Sequence, residues 1–354
     1  MWQPTLLVLL VAVSLRACTA AANGRGKPLV TPVTKDPSTS LYTAPLNAGR
    51  PLVLHLSAPD VTSPYSAGHG QNTRVTLSAN ATDGSNPLFP VSFSVAASCG
   101  AVGVAGLARS ARSFPAQVAS TQRVTNSFML CLPGGGDRAG AAIFGGGPFF
   151  LAPPADRPAV TMFLSDGVPL RRPFAGDPGY YVSASNGIAV DGARVAVIGG
   201  GALIVGFSTT VPYTELRPDV YRPLIAAFDR AMGPNARRVT AAVAPFELCY
   251  DSTKLLSTQT GYSVPEVHVM LEGAQNWTAF GDNSMAQVSR GTACFAFVSM
   301  KGRDKGAVPA VVIGGLQMES RLVVVDEDKQ KLSFSRHLSA DGFSCSNFNF
   351  TRAA

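Results

Sequence analysis

Charge is scarce in this chain: only 14% of its 354 residues are Asp, Glu, Lys or Arg, while 46% are hydrophobic. That balance excludes a disordered chain and allows a large core, with length enough for two domains. Histidine is rarer still. His55, His69, His268 and His337 lie far apart and lack ligand spacing, so no metal site is expected. The sequence has no Gly-x-Ser-x-Gly elbow, no Gly-x-x-x-x-Gly-Lys-Ser/Thr loop and no His-Glu-x-x-His. The glycine triplets Gly145–Gly147 and Gly199–Gly201 read as tight turns rather than phosphate cradles, and no cofactor is expected. Basic residues are scattered, with no basic run and no aromatic platform, which argues against a nucleic-acid partner. Long apolar runs are missing too. Leu6–Leu15 is too short to cross a bilayer, and Val195–Phe207 is interrupted by Gly199–Gly201, so no membrane span is expected.

The Leu6–Leu15 run exits into the small residues Ala20–Ala22, the pattern of a secretory signal, placed at residues 1–22. Export gives the cysteines meaning. Cys18 leaves with the signal, and Cys99, Cys131, Cys249, Cys294 and Cys345 remain, an odd number for an oxidising compartment. Asn80-Ala81-Thr82, Asn276-Trp277-Thr278 and Asn349-Phe350-Thr351 are candidate glycosylation sites. The net charge of +7 suits an acidic wall polysaccharide or an acidic partner as well as simple solubility.

Glycine (35) and proline (26) are spread along the chain, which favours many short strands over long helices. Pro51–Leu56, Thr73–Ala79, Val91–Ala97, Tyr180–Val190 and Arg321–Asp326 read as strands. Two helices are expected: Phe114–Val124 behind Ser113, and Arg217–Met232 with Pro218 near its start and Gly233 at its end. An internal echo links GVAGL (Gly103–Leu107) and VVIGGLQM (Val311–Met318), both glycine-bearing apolar stretches preceded by strands. These features predict an all-β chain of two similar lobes, residues 23–165 and 166–354, joined through the Pro- and Gly-rich Pro153–Pro178.

The opening PVTKDPSTSLYTAPL (Pro32–Leu46) resembles that of the plant TAXI-type xylanase inhibitors. So, in order, do NATDGSNP, GVAGLARS, FPAQVAS, FMLCLPGGG, AIFGGGP, LRPDVYRPLIAAF, VAPFELCYD, GYSVPEV, NSMAQVSRGTACFAF, AVVIGGLQMES and SCSNFNFT. LRPDVYRPL and RGTACFAF are the most specific, and the resemblance runs from Pro28 to Arg352. The family includes basic 7S globulin-like and xyloglucanase-inhibitor proteins and implies the bilobal, pepsin-like aspartic protease fold. One departure stands out. Where relatives carry a tryptophan-containing strand and a long cysteine-rich segment, Leu56 is followed by SAPDVTSPYSAGHGQNTRVTL, so the first lobe is shortened.

The resemblance places His55 and Ser208 where an aspartic protease carries the two carboxylates that share a proton. It therefore implies a protein inactive as a peptidase. It also implies a Cys249–Cys294 bridge, a Cys131–Cys345 bridge and an unpaired Cys99. The implied activity is inhibition of secreted microbial or plant glycoside hydrolases, endo-β-1,4-xylanase foremost, by a monomer outside the cell. His337, directly after Phe334-Ser335-Arg336, and Leu255 stand near the family's target-contacting residues. The bland reading of both is a strand-end histidine and a loop leucine tucked against its own lobe. A non-inhibitory cell-wall or storage protein, or a decayed paralogue, is the alternative; an aspartic endopeptidase is disfavoured.

Overall fold

The computed structural model describes residues 26–64, 73–83, 88–134, 138–147, 149–150, 164–197, 201–234, 236–239, 243–301 and 308–350. The expected signal segment and the first part of the expected linker lie outside these residues.

The echo seen in the sequence is an architectural repeat. Val104–Gly106 runs parallel to Arg50–His55, pairing Gly106 with His55. Val311–Ile313 runs parallel to Leu203–Phe207 in the same way, pairing Ile313 with Phe207. Each of these inner strands also pairs antiparallel with a short strand, Val61–Ser63 in one lobe and Thr214–Leu216 in the other. Those strands in turn lie parallel to Phe89–Cys99 and Phe297–Ser299. The same four-strand order therefore occurs twice. The glycine of each echo is fixed by close backbone approach. A Cβ on Gly106 would sit 2.2 Å from the Asp60 carbonyl oxygen, and one on Gly314 would sit 2.4 Å from the Tyr213 carbonyl carbon.

The sheet that holds the first-lobe set also joins the lobes. The hairpin formed by Leu322–Asp326 and Lys331–Phe334, from the end of the chain, pairs with first-lobe strand Ser127–Cys131. Gly140–Phe144 and Leu29–Lys35 extend it. Cys345 is disulfide-bonded to Cys131 and so ties the C-terminal segment to this sheet. Cys249 and Cys294 face each other on paired strands and form the second bridge. Cys99 is free and exposed.

Both expected helices are present, as Phe114–Gln122 and Pro218–Met232. The first ends at Arg123 in the left-handed region and buries Phe114 and Val118. Phe114 meets Phe93 and Phe144 inside the first lobe. The second helix buries Val220, Tyr221, Leu224 and Phe228, and Phe228 stacks on Phe295. The stretch Tyr180–Val190 is not one strand. Tyr181–Ala184 and Gly187–Val190 belong to different sheets, because the chain turns at Gly187, whose φ is +80°.

Candidate functional site

His55 and Ser208 sit at the ends of the two equivalent strands Arg50–His55 and Leu203–Phe207. The lobes are pinned together beside them by Thr209. Its buried hydroxyl donates to the Leu54 carbonyl at 2.6 Å and accepts from the Leu56 amide at 3.2 Å. The first loop offers no reciprocal hydroxyl, since Leu56 occupies that place and is buried. In front of the pin, His55 Nε2 lies 3.5 Å from Thr210 Oγ1, which lies 3.2 Å from Ser208 Oγ. Ser208 Oγ also accepts from the Thr210 amide at 3.3 Å. A cavity of about 320 Å³ opens over these groups. Burial holds the His55 imidazole below its ordinary proton affinity. Asp177 and Glu215 border the cavity, but Asp177 is engaged by the Gly179 amide and the Tyr181 hydroxyl. Neither strand-end position carries a carboxylate, so the shared-proton arrangement of an aspartic dyad has no counterpart there.

A second cluster gathers around Asp282 and Glu319. The expected contact segments around Leu255 and His337 do come together: Gln259 Nε2 donates to the Ser339 carbonyl at 2.6 Å. The Asp282 amide donates to the Thr260 carbonyl at 2.9 Å. The two side chains singled out in sequence are nevertheless not the presented ones. His337 is only 1% exposed, and its Nε2 lies 3.0 Å from Asp282 Oδ2, so it faces inward. Leu255 packs partly buried against the core, because its amide closes the turn Ser252–Lys254 by donating to the Ser252 carbonyl. Leu256, 76% exposed, is the apolar side chain that this loop offers to solvent, two residues from exposed Lys254.

Below the loop is a cavity of about 820 Å³, bordered by Tyr213, Tyr262, Asp282, Gln287, Arg290 and Glu319. Glu319 accepts from Lys35 Nζ at 2.7 Å and from the Tyr42 hydroxyl at 2.6 Å. Burial nonetheless pushes its carboxyl above the usual range, with Lys35 and Tyr42 opposing. Arg321 is fully buried over the Trp277 ring, 4.4 Å from its centroid, and donates to the Thr278 carbonyl. Burial draws its proton affinity down to about 10, with the charge of Asp282 opposing. Asp282, Glu319 and Arg321 stand in no motif that predicts chemistry. The one available signal was charge inside an apolar stretch, Glu319 and Arg321 interrupting AVVIGGLQMESRLVVV. Among the described residues, no group of three or more His, Cys, Asp or Glu is arranged to hold a metal ion.

The three sequons divide. Asn80 is 5% exposed within strand Thr73–Ala81, and Thr82 is buried as well, so a glycan has no room there in the folded protein. Asn276 and Asn349 are exposed, although Thr351 lies outside the described residues.

Two family models match the chain: "Xylanase inhibitor N-terminal" over residues 47–146 and "Xylanase inhibitor C-terminal" over 179–336. "Chitinase CLP" from Oryza sativa subsp. japonica is 46% identical over 429 residues, covering 98% of this chain and 100% of that protein. That alignment is longer than the 354-residue chain, so the rice protein carries segments with no counterpart here. "Gamma conglutin 1" from Prunus dulcis is 34% identical over 257 residues, 70% of this chain and 56% of the relative. Among solved structures, edgp superposes with a TM-score of 0.78 at 25% identity, over 92% of this chain and 99% of that one. Basic 7S globulin from soybean superposes with a TM-score of 0.72 at 23% identity, over 92% of this chain and 100% of that one, a likeness of fold. With both halves matched, the chain belongs to the TAXi xylanase-inhibitor family, built on the two-lobed pepsin-like fold.

Proposed function

We propose that this protein is an exported inhibitor of polysaccharide-degrading glycoside hydrolases, endo-β-1,4-xylanase foremost, acting in the cell wall or apoplast. The observation that carries the reading is the loop at Ser252–Tyr262, where an exposed leucine and an exposed lysine two residues apart stand on a braced support. A glycosidase cleft holds two carboxylates flanking the scissile bond between apolar sugar subsites. Leu256 fits a subsite and Lys254 fits the carboxylates. His337 supports the loop from behind through Asp282 rather than entering the target itself. The net charge of +7 speeds encounter with an acidic cleft. Family membership supports the class of target, and the absence of carboxylates at positions 55 and 208 supports a role without peptidase chemistry.

The test is inhibition of secreted fungal and bacterial xylanases by the wild type and loop variants. Burying a leucine side chain contributes about 1.5–3 kcal/mol, so Leu256→Ala weakens inhibition roughly ten- to a hundredfold. Leu255→Ala has a smaller direct effect on binding. Equal inhibition by wild type and Leu256→Ala removes the loop from the account.

A second reading has its own support. One relative is named a chitinase, and two carboxylates, Asp282 and Glu319, border one large cavity here. A buried carboxyl of raised proton affinity beside a more exposed carboxylate is the pairing that glycoside hydrolysis uses. Release of sugars from chitin oligomers by the wild type, lost in both Asp282→Asn and Glu319→Gln, favours this reading over inhibition. A protein that neither inhibits nor hydrolyses favours the wall or storage role.

A further inference from the structure

We infer that the residues standing at the junction of the two equivalent strands form an acyl-accepting site, with Thr210 Oγ1 as nucleophile and His55 Nε2 as general base, open to small activated carboxylic esters. Three contacts define it. The Thr210 amide donates to Ser208 Oγ at 3.3 Å. Ser208 Oγ and Thr210 Oγ1 are 3.2 Å apart, and Thr210 Oγ1 and His55 Nε2 are 3.5 Å apart. In the reactive arrangement Ser208 donates to Thr210 and Thr210 donates to the imidazole, directions that both contacts allow. This requires the His55 tautomer with its proton on Nδ1. Ser208 is buried, whereas Thr210 is only half-buried at the cavity wall, so Thr210 is the hydroxyl that a ligand reaches.

The surroundings suit the chemistry. Burial favours the neutral imidazole, the form that can accept a proton near neutral pH. The charged groups bordering the cavity are Asp177, held by the Tyr181 hydroxyl and Gly179 amide, and Glu215. Phe207, Val211, Pro309 and Val312 supply apolar wall, and about 320 Å³ accommodates an aryl ester of a short aliphatic acid. In the first step Thr210 Oγ1 bonds to the ester carbonyl carbon while its proton passes to His55 Nε2. The Ser57 hydroxyl, also at the cavity, is the donor for the developing oxyanion. Collapse breaks the bond to the alcohol oxygen, which takes the proton from His55. Water, deprotonated by the same imidazole, then releases the acid and restores Thr210. The sum is ester plus water giving acid plus alcohol, with no oxidant or cofactor.

p-Nitrophenyl acetate is the probe. The purified, folded protein should release nitrophenolate in a burst of about one equivalent and carry one acetyl group on the peptide containing Thr210. Thr210→Val, which keeps the side-chain shape, should abolish both, and Thr210→Ser should restore them. A general base contributes roughly 10²–10⁴-fold, so His55→Gln should slow acetylation at least a hundredfold. The wild-type rate should rise with pH through an inflection lying below the ordinary imidazole value of 6.5, and this inflection should vanish in His55→Gln. Absence of an acetyl group on Thr210 in the wild type overturns the proposal. So does acetylation that is unchanged in Thr210→Val, or a rate untouched by His55→Gln in a variant whose circular dichroism matches the wild type.

Discussion

Thr209→Val is the perturbation that most directly probes how the two lobes hold together. Threonine and valine have nearly the same shape, so the change removes one hydroxyl and little else. That hydroxyl donates to the Leu54 carbonyl at 2.6 Å and accepts from the Leu56 amide at 3.2 Å, bridging positions far apart in the chain. Thr209 is 1% exposed, and Leu54 and Leu56 are equally buried, so water cannot replace the lost partner. An orphaned buried donor or acceptor costs about 1–3 kcal/mol, and two are created at once. Because the Leu54 carbonyl oxygen keeps a second lone pair for other contacts, the sum falls at about 2–4 kcal/mol. Thr209→Ser keeps the hydroxyl and loses one methyl group, at about 1 kcal/mol. Urea denaturation with the disulfides intact reads both variants. A loss below about 1 kcal/mol for Thr209→Val, or one no larger than for Thr209→Ser, refutes the bridging role.

The remaining expectations are independent of that pin. The purified protein should show no pepstatin-sensitive cleavage of a denatured substrate at acid pH, since positions 55 and 208 carry no carboxylate; such cleavage by clean protein refutes this. Non-reducing peptide mapping should yield linked 131–345 and 249–294 peptides, with an alkylating label on Cys99 alone among those five cysteines. The His55 imidazole is depressed by burial, so the unfolded chain binds its proton more readily than the folded one. Its contribution to stability is therefore present above the unperturbed value of 6.5 and is lost as pH falls through the depressed value. The difference in stability between wild type and His55→Gln should follow that direction, and a difference that does not change with pH contradicts it.

Much of the fold was legible because the repeat left a trace in the residues themselves. Gly103–Leu107 and Val311–Met318 needed both apolar strand residues and glycine at a close backbone crossing, so their likeness survived. Helix ends were readable from Ser113, Pro218 and Gly233, whose backbone preferences are local. Tyr180–Val190 favours strand throughout by composition, while one glycine turn divides it between two sheets. The site was legible by region but not by side chain. A single closed turn at Ser252–Lys254 sends Leu255 inward and leaves Leu256 outside, a choice that the adjacent leucines do not encode. The resemblance points to His337 as a target contact because it follows Phe334-Ser335-Arg336, yet its partner Asp282 arrives from a distant segment and turns it inward. Asn80 met the sequon rule and was lost to burial, since strand pairing on both sides encloses it. Glu319 and Arg321 gained their importance only when Lys35, Tyr42 and Trp277 were folded against them.

The most direct test of the central claim is residual activity of secreted fungal and bacterial xylanases and chitinases titrated with the purified wild-type protein. The inhibitor account predicts that at least one of these enzymes loses activity in a saturable, stoichiometric manner, and that the protein alone releases no sugar from either polysaccharide. Full activity of every enzyme at saturating protein, or release of chitin oligomers by the protein itself, contradicts it.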